Sequence, residues 1–241
     1  MSKVVQAQMK VKYEIRFAEG APREYIVDTD RTDEDDNAAK KPPRADWTRL
    51  DYCQCSNCPL SKEKMSHCPA AVDLQNLVAD FRNQAAFQKV DVIVSTHERS
   101  YSKRTSLEEG LRSLMGLIMA TSECPILGEL RPMAIHHMPF ATNDEFILRS
   151  VSIYLVQQYF SQRAGGKADW ELKGLVERNR KLQLVNQALW QRIHSACEQD
   201  ANLKALLSFF SLASSVTFSL EAQLQKLRQS FEAGDWNSPV I

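Results

Sequence analysis

Long apolar runs are missing from this sequence. The longest, Leu114–Ala120, falls far short of the roughly 20 residues that a helix needs to cross a bilayer. No charge sign is in excess: 30 Lys and Arg stand against 30 Asp and Glu. That removes the basic surplus on which non-specific nucleic-acid binding depends. Arg49, Lys62 and Lys64 make only a small local basic face. Glycine is scarce, at 8 residues, and no Gly-rich phosphate loop is present. No repeat of 20 to 50 residues recurs. The opening stretch Met1–Lys10 has Gln and Lys where a secretory leader needs an apolar core. A cytoplasmic, reducing compartment is therefore expected. Cysteine is also sparse, six in the chain, yet four of the six fall within Cys53–Cys68.

The rest of the chain alternates between two periods. Val11, Tyr13, Ile15 and Phe17 interleave with Lys12, Glu14 and Arg16, as in a half-buried strand. Glu19-Gly20-Ala21-Pro22 turns the chain, and Tyr25 and Val27 continue the alternation, so residues 10–28 read as a hairpin. Asp28–Asp46 carries an acidic block and a Pro pair and reads as a solvated linker. A helix is expected from about Ala70 to Gln84, with Val72, Leu74, Leu77, Val78 and Phe81 on its apolar face. Val90–Thr96 is β-branched and strand-like, giving a third strand.

From residue 105 the period turns helical. Thr105-x-x-Glu108 and Ser106-x-x-Glu109 are overlapping capping boxes ahead of Leu107, Leu111, Leu114 and Ile118. Thr142-x-x-Glu145 caps a helix that buries Ile147, Val151, Tyr154 and Leu155 and stops at Gly165-Gly166. Asp169 caps the next, with Leu182, Val185, Leu189, Ile193 and Cys197 on one face. Leu203, Leu206, Leu207 and Phe210 suggest a fourth helix. Leu220, Leu224, Leu227 and Phe231 suggest a fifth. The expected class is α+β: a small antiparallel sheet of about three strands with a Cys-rich zinc knot, then a mainly antiparallel helical bundle. Residues 1–104 hold the hairpin, linker, knot, first helix and third strand. Residues 105–241 hold the bundle, packed with the first part as one unit.

The cysteines follow the pattern Cys-x-Cys-x2-Cys-x9-Cys. Zn²⁺ takes four tetrahedral thiolate or imidazole ligands, and close pairs on a tight turn supply two of them at small entropic cost. The expected ligands are Cys53, Cys55, Cys58 and Cys68, with His67 as a substitute. Four protein ligands leave no open position for water, so this zinc is structural. An iron–sulfur cluster ranks second, because the spacing matches neither ferredoxin pattern. A Cys55–Cys58 redox pair and unligated thiols complete the alternatives.

Trp47-Thr48-Arg49-Leu50 and Cys55-Ser56-Asn57-Cys58-Pro59-Leu60 resemble an uncharacterised bacterial family known only as a domain of unknown function. The likeness continues through Glu98–Thr105, Met119–Pro125, Leu130–Ala134 and His137–Ala141, covering roughly residues 10 to 230. In the family pattern a His stands at the place of Cys53, an exchange that zinc accepts. The resemblance implies no activity.

Two further polar clusters are candidates. Arg99, Lys103 and Arg104 lie before a capped helix, where free N–H groups and the dipole favour an anion; an exposed turn with local ion pairs is the competing reading. Cys124, Arg131, His136 and His137 gather in one loop-rich stretch, where a Cys-His nucleophile pair or a second metal centre competes with a structural loop. Cys197 and Phe209, Phe210, Phe218 and Phe231 read as core.

The leading expectation is a zinc-stabilised, non-enzymatic interaction or regulatory protein in the cytoplasm, binding a protein partner or a small ligand. Membrane and nucleic acid are not expected partners. The alternative is an enzyme or anion sensor whose site joins Arg99, Lys103, Arg131 and His137 across the 99–104 turn and the 124–140 loop.

Overall fold

The computed structural model describes residues 10–31, 43–196, 204, 220–228 and 231. The alternation read from Val11 to Val27 folds as β1 (Lys10–Arg16) and β2 (Arg23–Asp28), an antiparallel pair with Tyr13 opposite Tyr25. Val11, Tyr13 and Ile15 are fully buried, as period two requires of a strand with one face on the core. The strand β3 (Lys89–Ser95) runs antiparallel to β1 on its other side.

The sheet has four strands rather than three. The fourth, β4 (Ser100–Ser106), pairs antiparallel with β3 at the edge, giving the order β2-β1-β3-β4. Its residues are the Ser-Tyr-Ser-Lys-Arg-Thr-Ser run that reads as a polar turn. Only Thr105 among them is buried. Lys103 and Arg104 on an edge strand are a common defence against strand addition, and they remove the apolar alternation by which a strand is recognised.

Helix α1 (Pro69–Phe81) starts with Pro at its first position and buries Leu74, Leu77, Val78 and Phe81, close to the expected span. Val72, expected with them, is half-buried. Phe81 stacks on Phe17 and lies tilted against Tyr25, and the Arg23 guanidinium lies 4.8 Å from its ring centre. Helix α2 (Leu107–Ala120) is buried on most of its circumference. Its two capping boxes do not form: Ser106 is the N-cap, but its side chain makes no capping bond. The Thr105 hydroxyl instead donates to the Glu109 carboxylate, which also takes Lys103 Nζ at 2.7 Å. Strand pairing of Thr105 and Ser106 with Val90 and Lys89 sets the helix entry, and the boxes give way to it.

A 3-10 turn (Leu127–Leu130) and the short helix α3 (Arg131–Ile135) follow. Helix α4 (Asn143–Arg163) opens with the expected box: Glu145 N–H donates to Thr142 Oγ1 at 3.2 Å, and Thr142 N–H donates to Glu145 Oε2 at 2.8 Å. It ends before Gly165, which holds φ +86°, a value that costs glycine little. Helix α5 (Lys173–Ala196) starts four residues after Asp169, whose carboxylate reaches forward to accept the Gly174 N–H at 2.7 Å.

The chain forms two compact units. The first is made of the described residues within 1–140 and 184–209, the second of those within 141–183 and 210–241. In the second, Ile147, Val151, Tyr154, Leu172, Leu175 and Leu220 make a buried cluster joined by Leu224 and Leu227. Phe231, expected in the core, is exposed. The linker between 32 and 42, Cys197, Phe209, Phe210, Phe218 and the expected helix around 203–210 lie outside the described residues, Lys204 apart. Among the described residues no helix is long and apolar enough to cross a membrane.

Candidate metal centre

The Cys-rich stretch is a closed loop with a fixed neck. Trp47-Thr48-Arg49-Leu50 enters it from a 3-10 turn (Asp46–Thr48) and pairs back onto Ser66-His67-Cys68. Leu50 N–H donates to Ser66 O at 2.9 Å, and Cys68 N–H donates to Thr48 O at 2.8 Å. Thr48 and Leu50 are buried beneath this neck. The chain between them is short of apolar residues and forms turns. Cys58 N–H reaches back to Cys55 O at 3.0 Å, a turn that brings a Cys-x-x-Cys pair to one side.

The neck is held from helix α5. Arg192, 1% exposed, donates to Trp47 O at 2.8 Å and Arg49 O at 2.6 Å from Nη1, and to Leu50 O at 3.0 Å from Nη2. Its Nε is buried with no partner among the described residues. No carboxylate pairs with this guanidinium among the described residues. A buried cation without a counter-charge is costly, so its surroundings carry information. It lies within electrostatic reach of the Cys55 and Cys68 thiols.

The cysteines are not equivalent. Cys53 is exposed and sits at φ +47°, a left-handed turn position unusual for a side-chain-bearing residue. Cys55 and Cys58 are half-buried, and Cys68 and Cys124 are buried. Burial raises the Cys55 thiol to about 12, with Cys68, Cys58 and Cys124 adding to the shift. Burial also raises Cys68, against the Ala71 and Ala70 N–H groups at the start of α1, which favour its thiolate. Cys124 is raised by burial too, and the Leu127 and Ile126 N–H groups oppose this. The four interact through space, although among the described residues no three Cys, His, Asp or Glu side chains stand at metal-holding spacing. His67 is half-buried. Its Nδ1 contacts the Ser66 hydroxyl at 2.8 Å and Arg44 at 3.3 Å, and burial followed by Arg44 keeps its pKa below the ordinary value.

The other candidates have other surroundings. Arg99 is exposed and pairs with Glu98 at 3.1 Å. Arg104 is exposed on β4. Lys103 pairs with Glu109 and lies 5.9 Å from the Phe140 ring centre. Arg131 reaches Arg31 O at 3.5 Å. His136 is exposed. His137 Nε2 bonds Tyr13 Oη at 2.5 Å, and Tyr13 in turn bonds Ser113 Oγ at 2.7 Å. Ser113 also accepts the Phe140 N–H at 3.2 Å. The structure thus joins the edge strand to the Phe140 loop through Lys103, and places Arg99 and Arg131 with different partners. A separate open cleft of about 420 Å³ is lined by Lys10, Tyr25, Asp28, Arg31, Asp73 and Thr121; none of the candidate residues lines it.

Sequence reasoning overlooked Arg192 and the nearness of Cys124 to the cluster. A signal for the arginine existed: Val185, Leu189 and Arg192 follow at i, i+4 and i+7, one helical face. For Cys124 there was none, since 55 residues separate it from Cys68. In comparisons with known proteins, no curated protein and no solved structure matches the chain. A family model described as a domain of unknown function, DUF6901, matches residues 11–232. That match spans nearly the whole chain and agrees with the resemblance read from the Trp-Thr-x-Leu and Cys-x-x-Cys-Pro-Leu stretches: the protein belongs to the DUF6901 family.

Proposed function

We propose that this chain is a zinc-stabilised, non-enzymatic cytoplasmic protein, built for contact with a protein partner or small ligand. One feature carries the reading: Cys55, Cys58 and Cys68 share one loop whose neck is held by Arg192, a buried guanidinium that pairs with no carboxylate among the described residues. Zinc displaces the thiol protons, and the thiolates it holds carry the negative charge that the arginine lacks. A four-ligand site is closed to water, so its role is to hold the Cys-rich loop, the start of α1 and the sheet together. A helical bundle then offers the contact surface. Val156, Tyr159 and Phe160 support this, as all are exposed on α4 and Val156, Tyr159 and Phe160 follow at i, i+3 and i+4.

The test is removal of metal from the purified full chain with a strong chelator, followed by circular dichroism and thermal melting. The reading expects the sheet-containing part to melt first and zinc to restore it. Unchanged spectra and melting would refute it.

A second reading, an anion or phosphate site at the junction of β4 and the 124–140 loop, draws on the Lys103–Phe140 contact alone. Calorimetry with inorganic phosphate tests it. Binding that Lys103→Ala abolishes supports the site; no heat, or heat unaffected by that change, rejects it.

A further inference from the structure

We propose that the cleft walled by β2, α1 and the end of α2 binds a small zwitterion with an apolar side chain, the chemistry of a free amino acid such as leucine or methionine. The inference is independent of the zinc reading above: no cysteine lines this cleft, and its lining residues all lie within one compact unit.

Three features define the ligand. The first is size. The cleft measures about 420 Å³, toward the small end of the range for small-molecule sites, which suits a compact metabolite.

The second is charge. Four charged side chains line the cleft, two of each sign: Lys10 and Arg31, Asp28 and Asp73. Arg31 Nη1 donates to Asp73 Oδ1 at 2.7 Å, which ties the chain after β2 to α1. Asp73 Oδ2 is buried with no hydrogen-bond partner among the described residues, and a buried carboxylate oxygen without a donor is costly. The Asp73 side chain stays 12% exposed, and the χ2 torsion of Asp is broad. A small turn therefore offers Oδ2 to a donor in the cleft while Oδ1 keeps Arg31. Lys10 is exposed at the start of β1 and pairs with no carboxylate among the described residues. Asp28 stands opposite it in the β1–β2 register, but Asp28 Oδ1 accepts the Asp30 N–H at 3.0 Å. An ammonium group answers Asp73, and a carboxylate answers Lys10. A simple cation would leave Lys10 unanswered, and a simple anion would leave Asp73 so. One molecule bearing both groups serves both, through charge-assisted hydrogen bonds.

The third is the apolar wall. Val27 and Leu77 are buried and Ile118 is half-buried along the cleft. They give an apolar side chain a surface to cover, while the charged groups fix the orientation of the ligand.

Amide-resolved NMR titration of the isotope-labelled full chain tests the inference, with L-leucine and L-methionine as probes. The expected result is saturable shifts at the Val27, Asp73 and Leu77 amides. D73N and K10Q should each weaken binding at least about 10-fold, the cost of losing a hydrogen bond to a charged group. The tighter-binding amino acid is then compared with its analogue lacking the amine and its analogue lacking the carboxylate. Each analogue should bind at least about 10-fold more weakly. K10Q alters an exposed strand end, so it and the analogues decide even if D73N does not fold. No saturable shift with either amino acid overturns the inference, as do shifts confined to residues away from the cleft. Binding that K10Q or removal of the amine leaves unchanged overturns it too.

Discussion

Arg192 shows how a single buried side chain links distant parts of a sequence. Its acceptors, the carbonyls of Trp47, Arg49 and Leu50, lie more than 140 residues away. Its place on an apolar helix face was legible from spacing, but its partners were not, because backbone carbonyls leave no trace in a sequence. Replacing it with methionine fills the space and strands three acceptors. At about 1–3 kcal/mol per buried unsatisfied group, with partial relief by water, R192M should cost about 3 kcal/mol in urea denaturation of the metal-free chain. R192K should recover part of that. Asp169 offers a residue-scale test in pH. The Gly174 N–H, followed by the Tyr154 hydroxyl, holds its carboxyl below the usual range. A lowered folded-state pKa means the contribution is present above the unfolded value, about 3.9, and is lost as pH falls through the folded value. The start of α5 should therefore loosen below about pH 4. Hydrogen exchange at Gly174 and its neighbours should show this, with D169N nearly insensitive to pH in that range.

Elements were legible in proportion to their apolar contrast. β1, α1 and the Thr142 box emerge from the residues because each has a sharp polar–apolar pattern or a reciprocal cap. β4 does not: an edge strand with Ser, Lys and Arg resembles a turn, and only its pairing with β3 makes it a strand. The same pairing overrides the Thr105 and Ser106 boxes, a case of sheet register deciding a helix start. Two substitutions separate the caps. T142A, which breaks a formed box, should destabilise α4 by about 1 kcal/mol. S106A should be nearly neutral, because Ser106 makes no capping bond. Chemical denaturation of both variants provides the comparison. Between α2 and β3 the packing is close: a Cβ at Gly110 would lie 2.9 Å from Val92 Cγ2. Overpacking costs about 1–3 kcal/mol, and alanine regains up to about 1 kcal/mol of helix propensity. G110A should therefore be net destabilising in thermal melts despite the better helix former.

At the scale of the whole molecule, the Cys-rich loop lacks an apolar core of its own and depends on its neck, on Arg192 and on the metal proposed here. Free zinc at a thousandfold above Kd would add about 4 kcal/mol, which for a chain of this size raises the melting temperature on the order of 10 °C. The metal reading was legible from four cysteines in sixteen residues. That α5 braces this loop through Arg192 was not, because its acceptors are backbone carbonyls more than 140 residues away. The most direct measurement is elemental analysis of the purified full chain together with its visible spectrum. The account predicts one zinc per chain and no colour. A chain free of stoichiometric metal, or one carrying iron with a brown absorbance, would contradict it.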